Sequence, residues 1–527
     1  MENTKRLAKS TLAIVVFSLI GKLMGFARET LQAGVYGATH ATDAFVAAQS
    51  ATSIISALIT AAIATTFIPA LTKAEKEKGS AQQNIFTNNM LLLASVISLI
   101  VVGLGILFAP QLAILVSTRE KMDVYTMVIE LIRLGMPVVV FSAIVGVFTG
   151  YLQYNDKFAA AGGIAIPLNI CYIVYLLFMS QFGVKGLTVA SVLGVVAQIL
   201  FLMPDAVKSG YRPKAVFDIK DKFVLEALWL AIPVLMSTAV NDINVIVNRK
   251  LAATMVEGSV SVLNYANKMN LMILGIFITA ITAIIFPTMS RAFSSGNALQ
   301  GKRVMNAAVK AVLFLTVPAT VGMIVLARPI VEIAFLHGAF TEQNAIDTTA
   351  TLQFYTLALI SISVSNVLNR VYYSISDTRT PFLVGLINVV LNIALNLAVA
   401  HRFGTRGLAA SVSIATTVAV LISFVLLRRK IGNLGATSYV RALVKSLLAA
   451  GAMGLFALSY YPIEAMLRPM MDGGAARTLI QLVILVVVVG LAAILYGVLL
   501  YVLGVREIRD IVAIIKGKLK KRTAHSH

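Results

Sequence analysis

The chain is a succession of long apolar segments separated by short polar ones. Apolar runs occupy residues 10–36, 43–71, 85–116, 124–152, 159–179, 186–204, 223–250, 258–289, 305–327, 347–373, 380–400, 407–427, 440–461 and 477–503. Runs of about 20 apolar residues match the thickness of a bilayer's hydrocarbon core when coiled as helices. Hydrocarbon offers no hydrogen bonds, so each segment must satisfy its own backbone, and a closed barrel would instead show short alternating strands. The pattern therefore predicts an all-α polytopic membrane protein of about fourteen transmembrane helices. At the N-terminus, Lys5, Arg6 and Lys9 precede the apolar run Thr11 to Ile20, as in a signal peptide. Lys22, Arg28 and Glu29 interrupt the continuation and no small-residue cleavage site closes it, so it reads as a retained first helix.

The segments repeat. Tyr151, Asp156, Phe182, Gly183, Gly186 and Leu187 recur at a constant offset of 221 as Tyr372, Asp377, Phe403, Gly404, Gly407 and Leu408. Phe67-Ile68-Pro69 is echoed near the same offset by Ile285-Phe286-Pro287. Segments 1–6 and 7–12 are thus expected to be homologous lobes. An even number of crossings per lobe makes the repeats parallel, related by a pseudo-two-fold along the membrane normal, and such proteins bind substrate between lobes that rock. The expected divisions are an N-terminal lobe (1–204), a cytoplasmic linker (205–222) serving as the flexible joint, a C-terminal lobe (223–430), two added helices (431–503) and a basic tail (504–527).

Composition sharpens the compartment. Mean hydropathy is +0.88 and only 13% of residues are charged, against about a quarter in soluble domains. The net charge of +21 invites a nucleic-acid reading. However, more than half of the 44 Lys and Arg fall in the N-terminus, the even-numbered connections and the tail. That bias places both termini in the cytoplasm and the charge at the anionic inner leaflet, with no nucleic acid required. In the tail, Ile508, Ile511, Ile515 and Leu519 recur at helical spacing among Lys516, Lys518, Lys520 and Lys521, as in an interfacial helix, with a plain solubilising tail as the alternative. One cysteine, Cys171, excludes an intramolecular disulfide, and five histidines lack metal-ligand spacing.

Charged and amide side chains within apolar segments are costly, at about 2.5 to 3.5 kcal/mol per centred charge, and so mark cavities or partners. Segment 1 carries Lys22, Arg28 and Glu29; Lys22 and Glu29 share a face, and Gly21 and Gly25 offer a bend that would bring both cations to one cavity. Snorkelling, or neutralisation of Arg28 by Glu29, is the plainer reading. Segment 8 begins with Asn264, Tyr265, Asn267 and Lys268, while Arg249 and Lys250 are expected to anchor the outer end of segment 7. Asn241, Asn244 and Asn248, with Asp242 beside them, and Asn388, Asn392 and Asn396 form two amide stripes. These stripes serve either as interhelical glue or, through Asp242, Asn392 and Asn396, as an oxygen site for a monovalent cation. No nucleophile elbow, Walker loop or HExxH motif is present, so an ATP-driven pump is not supported and a transporter, not an enzyme, is expected.

Particular strings carry a resemblance: Gly25-Phe26-Ala27-Arg28-Glu29, Thr42-Asp43-Ala44-Phe45, Gly258-Ser259-Val260-Ser261 with Tyr265-Ala266-Asn267-Lys268, Phe335-Leu336-His337-Gly338-Ala339-Phe340, and Asp377-Thr378-Arg379-Thr380-Pro381. In order and spacing, over essentially the whole chain, they resemble the MurJ (MviN) family of lipid II flippases in the multidrug/oligosaccharidyl-lipid/polysaccharide exporter superfamily. The resemblance implies two lobes around a cationic cavity in a bacterial cytoplasmic membrane, with segments 13 and 14 forming a groove for the undecaprenyl tail. It implies lipid II as partner, alongside membrane lipids and the cell-wall synthesis machinery, and no cofactor beyond a coupling sodium ion. Lys22, Arg28 and Lys268 match the family's cavity cations and Asp43 an acidic position, giving with Glu29 and Asn264 the candidate substrate-binding set. Asp242, Asn392 and Asn396 match its sodium site. Basic residues common midway along the second helix are replaced here by Ile54-Ile55-Ser56-Ala57, and lysine at positions 22 and 268 lacks the guanidinium fork suited to a diphosphate. The competing readings are an exporter of another undecaprenyl-linked oligosaccharide and a cation-coupled drug exporter; the latter should carry acids in its cavity. A glycosyltransferase would need an outer catalytic carboxylate on a sizeable loop.

Overall fold

A computed structural model describes residues 2–294, 298–470 and 474–509, with side-chain placement from residue 16 onward apart from stretches within 233–241, 276–290 and 294–298 and from residues 470 and 475. Eighteen α-helices follow one another: α1 (Glu2–Tyr36), α2 (His40–Lys78), α3 (Gln82–Leu107), α4 (Ala109–Val116), α5 (Met122–Gly135), α6 (Val138–Tyr154), α7 (Phe158–Gly162), α8 (Ala165–Phe178), α9 (Gly183–Lys208), α10 (Lys222–Ala253), α11 (Ser259–Ser294), α12 (Ala298–Val325), α13 (Ala327–Phe335), α14 (Glu342–Ser374), α15 (Arg379–Ile431), α16 (Ala436–Ala457), α17 (Tyr460–Leu467) and α18 (Gly474–Val502). No strand occurs among the described residues. The protein is thus an all-α polytopic membrane protein. Nine of the described helices are long and apolar enough to cross a membrane, or ten if the bent pair α5–α6 is one span. The amphipathic-tail expectation falls largely on residues 510–527, outside the described set.

Several segments expected to be continuous are broken, each where the chain loses an amide donor or gains a glycine. The third segment divides at Phe108, with Pro110 in the first turn of α4, where its missing N–H costs nothing. The fourth bends by 40° between α5 and α6, at Pro137. Conversely, α1 runs unbroken through Gly21 and Gly25, where a bend was expected. They let α8 approach instead. A Cβ on Gly21 would meet Ala165 Cβ at 2.9 Å, and Asn169 Nδ2 donates to the Gly21 carbonyl at 3.1 Å.

The sequence repeat has a local structural counterpart. Gly183 and Gly404 share an unusual backbone, with φ of 65° and 55°. Their ψ values of −162° and −138° place both in or near territory open essentially to glycine alone. At Gly404 this residue splits the long α15 into the two expected segments. A Cβ on Gly186 or Gly407 would lie 2.9 Å from the Cβ of Phe182 or Phe403 respectively. Tyr151 and Tyr372 are both fully buried, donating their hydroxyls to the carbonyls of Ser209 and Ser423. Asp377, in the connection before α15, pairs with Lys430. Burial would raise its carboxyl, but hydrogen bonds from Lys430 and Thr380 prevail and hold it at about 2.

By Cα proximity the chain divides into two compact units. Unit 1 comprises Met1–Lys268, His337–Asn344 and Val389–Leu408, and unit 2 comprises Met269–Leu336, Ala345–Asn388 and Ala409–His527. In unit 1, α2 packs on α5, α6 and α10. Its core centres on Phe67, Phe86, Phe148 and Tyr151, and α10 is tied to α2 by Lys73–Glu226 at 2.7 Å and Lys222–Glu77 at 3.3 Å. In unit 2, α12 packs on α16, and α16 on α18, around Val317, Leu368 and Tyr372.

The connection between α9 and α10, expected as a flexible joint, is pinned along α3. Asn84 donates to Gly210 O and accepts from Arg212 N; Asn88 donates to Arg212 O and accepts from Lys214 N; Asn89 does the same with Asp218. Three carboxamides in the first turns of one helix thus imitate a strand partner for an extended segment, satisfying backbone that lacks its own ladder.

The shared glycine geometry generates a prediction. A Cβ added at Gly404 would meet nothing within 4 Å, so Gly404→Ala tests backbone strain alone. It should destabilise by about 1–2 kcal/mol, read as a lowered thermal midpoint of the detergent-purified protein, with Gly183→Ala behaving alike.

Candidate functional site: a cationic cluster on one buried carboxylate

In unit 1, α1 brings Arg28 and Glu29 into the interior as neighbours. Glu29 is 5% exposed, and its Oε1 accepts from Arg28 Nη2 at 2.5 Å. Lys268, ten residues into α11, places Nζ 3.9 Å from the same oxygen while its side chain stays 45% exposed. Arg249, at the end of α10, also acts electrostatically on this carboxylate. Its guanidinium donates to Asn264 Oδ1 at 2.8 Å and to the Val260 carbonyl at 3.1 Å. Three cations therefore surround one acid. Glu29 Oε2 and Arg28 Nε remain buried without a hydrogen-bond partner.

The plainer reading of Arg28 and Glu29, a local ion pair, is what the structure contains, and it is more than local. Arg28 lies 4.7 Å from the ring centroid of Tyr172 in α8, and Gln49 Nε2 donates to the Tyr172 hydroxyl at 2.9 Å. The guanidinium is held between a carboxylate and a π face, two partners suited to its flat charge. Lys22 lies about 9 Å back along α1, at 1.5 Å per residue, with a partially buried side chain.

Asp43 stands apart from these cations. It is 6% exposed, and its Oδ2 accepts from Gly258 N at 2.8 Å while Oδ1 accepts from Ser261 N at 2.8 Å and Ser261 Oγ at 2.6 Å. A carboxylate from α2 thereby caps α11, satisfying amides that have no partner inside the helix and favouring its positive end. Gly258 has φ of 81°, and a Cβ there would sit 2.5 Å from the Ala38 carbonyl, so the latch requires glycine. Nearby, Ala339 N donates to Gly34 O at 2.7 Å, Tyr265 OH to Gly37 O at 3.3 Å, and Tyr265 meets Phe340 edge-on at 5.8 Å. Several strings singled out in the sequence thus converge on one junction.

The amide stripes of α10 and α15 interlock. Asn396 Nδ2 donates to Asn248 Oδ1 at 3.0 Å and to Asn392 Oδ1 at 2.9 Å, while Asn248 Nδ2 donates to Asn244 Oδ1 at 2.8 Å. Among the described residues no hydrogen bond joins Asp242 to Asn392 or Asn396. Asp242 Oδ2 and Asn396 Oδ1 are buried without partners, and so is Asn392 Nδ2. Asn392 uses its Oδ1 within this network and leaves its Nδ2 without a partner. Asp242 and Asn396 keep oxygens of the kind a hard cation takes.

Sequence reasoning missed Arg249 and Tyr172. The signal for Arg249 was available: position 249 lies four residues before the end of α10 and position 264 five after the start of α11, so an antiparallel hairpin sets them nearly opposite. For Tyr172 there was none, since an aromatic in an apolar helix is ordinarily lipid-facing or core.

The ion cluster yields a stability prediction. Glu29→Gln leaves three cations without their acid and should cost about 3–5 kcal/mol, whereas Glu29→Gln with Arg28→Met should recover much of that loss. A double variant no more stable than the single one, by thermal midpoint, would show that the pair does not set the cluster's energetics.

A family model described as lipid II flippase MurJ matches residues 33–470. A probable lipid II flippase MurJ of Vibrio cholerae is 28% identical over 523 residues, covering 95% of this chain and 97% of its own. That of Haemophilus influenzae is 28% identical, covering 93% and 98%. Among solved structures, one titled lipid II flippase MurJ in an inward closed conformation shares the fold with a TM-score of 0.74 at 22% identity, over 93% of this chain and 99% of that one. An inward-facing multidrug resistance MATE transporter of the MOP superfamily shares it with a TM-score of 0.68 at 16% identity, over 81% and 99%. With the family model matched along most of its length, the chain belongs to the lipid II flippase MurJ family.

Proposed function

We propose that the protein moves lipid II from the inner to the outer leaflet of a bacterial cytoplasmic membrane, as a transporter that performs no covalent chemistry. The observation that carries this reading is the cluster of Arg28, Arg249 and Lys268 around the single acid Glu29. Three cations against one carboxylate leave a formal surplus of two positive charges in an apolar helical unit. A diphosphate cannot enter hydrocarbon unaided, and fixed cations offset its loss of water. A cavity for organic cations would need the opposite balance, which disfavours drug export.

Roles follow from exposure and partners. Lys268, the most accessible of the three cations, meets the diphosphate first, while Arg28, clamped by Glu29 and Tyr172, supplies fixed field. Lys22 extends the basic surface along α1. Asn264 holds the Arg249 guanidinium in place and so acts through it. Asp43 is a gate latch whose release from the α11 N-terminus accompanies opening, not a contact to substrate. With both termini in the cytoplasm, this latch faces the outer surface. Rocking of the two repeat-related lobes supplies alternating access, the polyprenyl tail staying in lipid. A sodium ion, where it couples to transport, would take Asp242 and Asn396 as oxygen ligands, with Asn392 positioning Asn396.

Two outcomes are expected. Arg28→Ala or Lys268→Ala should reduce headgroup translocation at least tenfold, since a charge-assisted contact contributes about 1.5–3 kcal/mol, while membrane insertion is retained. Full complementation of a flippase-depleted strain by either variant would defeat the reading. Asp242→Asn should abolish any sodium stimulation of transport by purified protein in vesicles; stimulation that survives it would assign the amide stripes wholly to packing.

A further inference from the structure

Within unit 2, the first turns of α16, the adjoining stretch of α12 and residues 504–507 after α18 enclose a cavity of about 320 Å³. Lys310, Arg441, Lys445 and Arg506 line it with one acid, Glu507. Four cations and one carboxylate leave a formal charge of +3. Lys310 Nζ pairs with Glu507 at 3.1 Å and Lys445 Nζ donates to the Leu503 carbonyl at 2.6 Å, which fixes two of the cations in the wall. Arg441 and Arg506 have no hydrogen-bond or ion-pair partner among the described residues. Basic side chains that merely mark a cytoplasmic surface spread into water; these converge on a concavity.

The remainder of the lining fits a particular class of anion. Thr437 and Ser438 present hydroxyls in the first turn of α16, at the helix end that favours negative charge. Phe314, Ala442 and Val505 provide an apolar side. Directly along the same helices, Val444, Leu448, Val498 and Val502 are 48%, 63%, 53% and 69% exposed, an apolar surface of the kind a membrane-spanning helix turns to lipid. An anion seated here is therefore adjacent to acyl chains. The cavity is polar, unlike an apolar groove for a polyprenyl tail, and its wall at 504–507 lies beyond residue 470, where the family match ends.

We propose that this cavity binds the phosphate of an anionic glycerophospholipid, such as phosphatidylglycerol, as a structural lipid separate from the transported substrate. Arg441 and Arg506 contact the phosphate, and Ser438 and Thr437 complete its coordination. The assignment of this lipid to the inner leaflet rests on the orientation proposed above; binding itself does not depend on transport.

The test is native mass spectrometry of the full-length protein in detergent, titrated with dioleoyl phosphatidylglycerol, dioleoyl phosphatidylethanolamine, lipid II or inorganic phosphate. Wild type should retain one phosphatidylglycerol in preference to phosphatidylethanolamine. Arg441→Ala with Arg506→Ala should weaken that retention roughly thirtyfold, from about 1 kcal/mol, or fivefold, per basic residue. Arg441→Lys should keep most of it, and Arg429→Ala, outside the cavity, all of it. Equal phosphatidylglycerol retention by the double variant would overturn the proposal. So would displacement of the lipid by millimolar inorganic phosphate, which would mark a site for a solution anion, or selective loss of lipid II by the double variant, which would mark a substrate site.

Discussion

Glu29 is buried in the apolar interior of a helical unit, where an unpaired carboxylate would cost several kcal/mol and so must be met by charge. Arg28 meets it at 2.5 Å, Lys268 stands 3.9 Å away, and Arg249 adds its field from α10. Because this one acid is shared, α1, α10 and α11 are drawn to a common point by electrostatics that few other contacts could replace. The same sharing prevents full neutralisation. Each cation is stabilised enough to be buried or half-buried, yet their sum exceeds the acid, and under the proposed function that surplus meets the anionic headgroup. The pair that makes the cluster foldable and the excess that makes it useful are one arrangement.

The Asp43 latch solves a different problem with the same kind of group. A helix N-terminus in an apolar setting leaves amides without acceptors, and a carboxylate from another helix accepts from two of them and from the Ser261 hydroxyl. Such a contact is strong while dry and weak when wetted, because water competes for both partners. It therefore suits a junction that is closed in one state and hydrated in another. Glycine at 258 is what allows the backbone to reach it.

Much of this was legible in the chain. Apolar runs locate the helices because hydrocarbon leaves the backbone no alternative, and the recurrence of Gly183 and Gly186 as Gly404 and Gly407 marks positions where only glycine fits, so the repeat survived in sequence and in geometry alike. Arg28, Glu29 and Lys268 stood out because charge is expensive in lipid. What was not legible depended on three-dimensional partners. The hydrogen bonds that Asp43 accepts were not legible because two of their three donors are backbone amides, which leave no side-chain signature. Arg249 read as an anchor because a long guanidinium at a helix end serves equally outward or inward. The connection at 205–222 read as a flexible joint because its partners, Asn84, Asn88 and Asn89, are ordinary polar residues near a helix start.

Under the proposed function, the surplus charge around Glu29 recognises a diphosphate. The most direct test is the affinity of the purified protein for lipid II compared with an undecaprenyl lipid carrying the same headgroup through a single phosphate, in wild type and in Lys268→Ala. Wild type should prefer the diphosphate by about tenfold, as one additional charge-assisted contact implies, and the substitution should collapse the preference. Equal affinity of wild type for the two lipids, or an undiminished preference in Lys268→Ala, would contradict it.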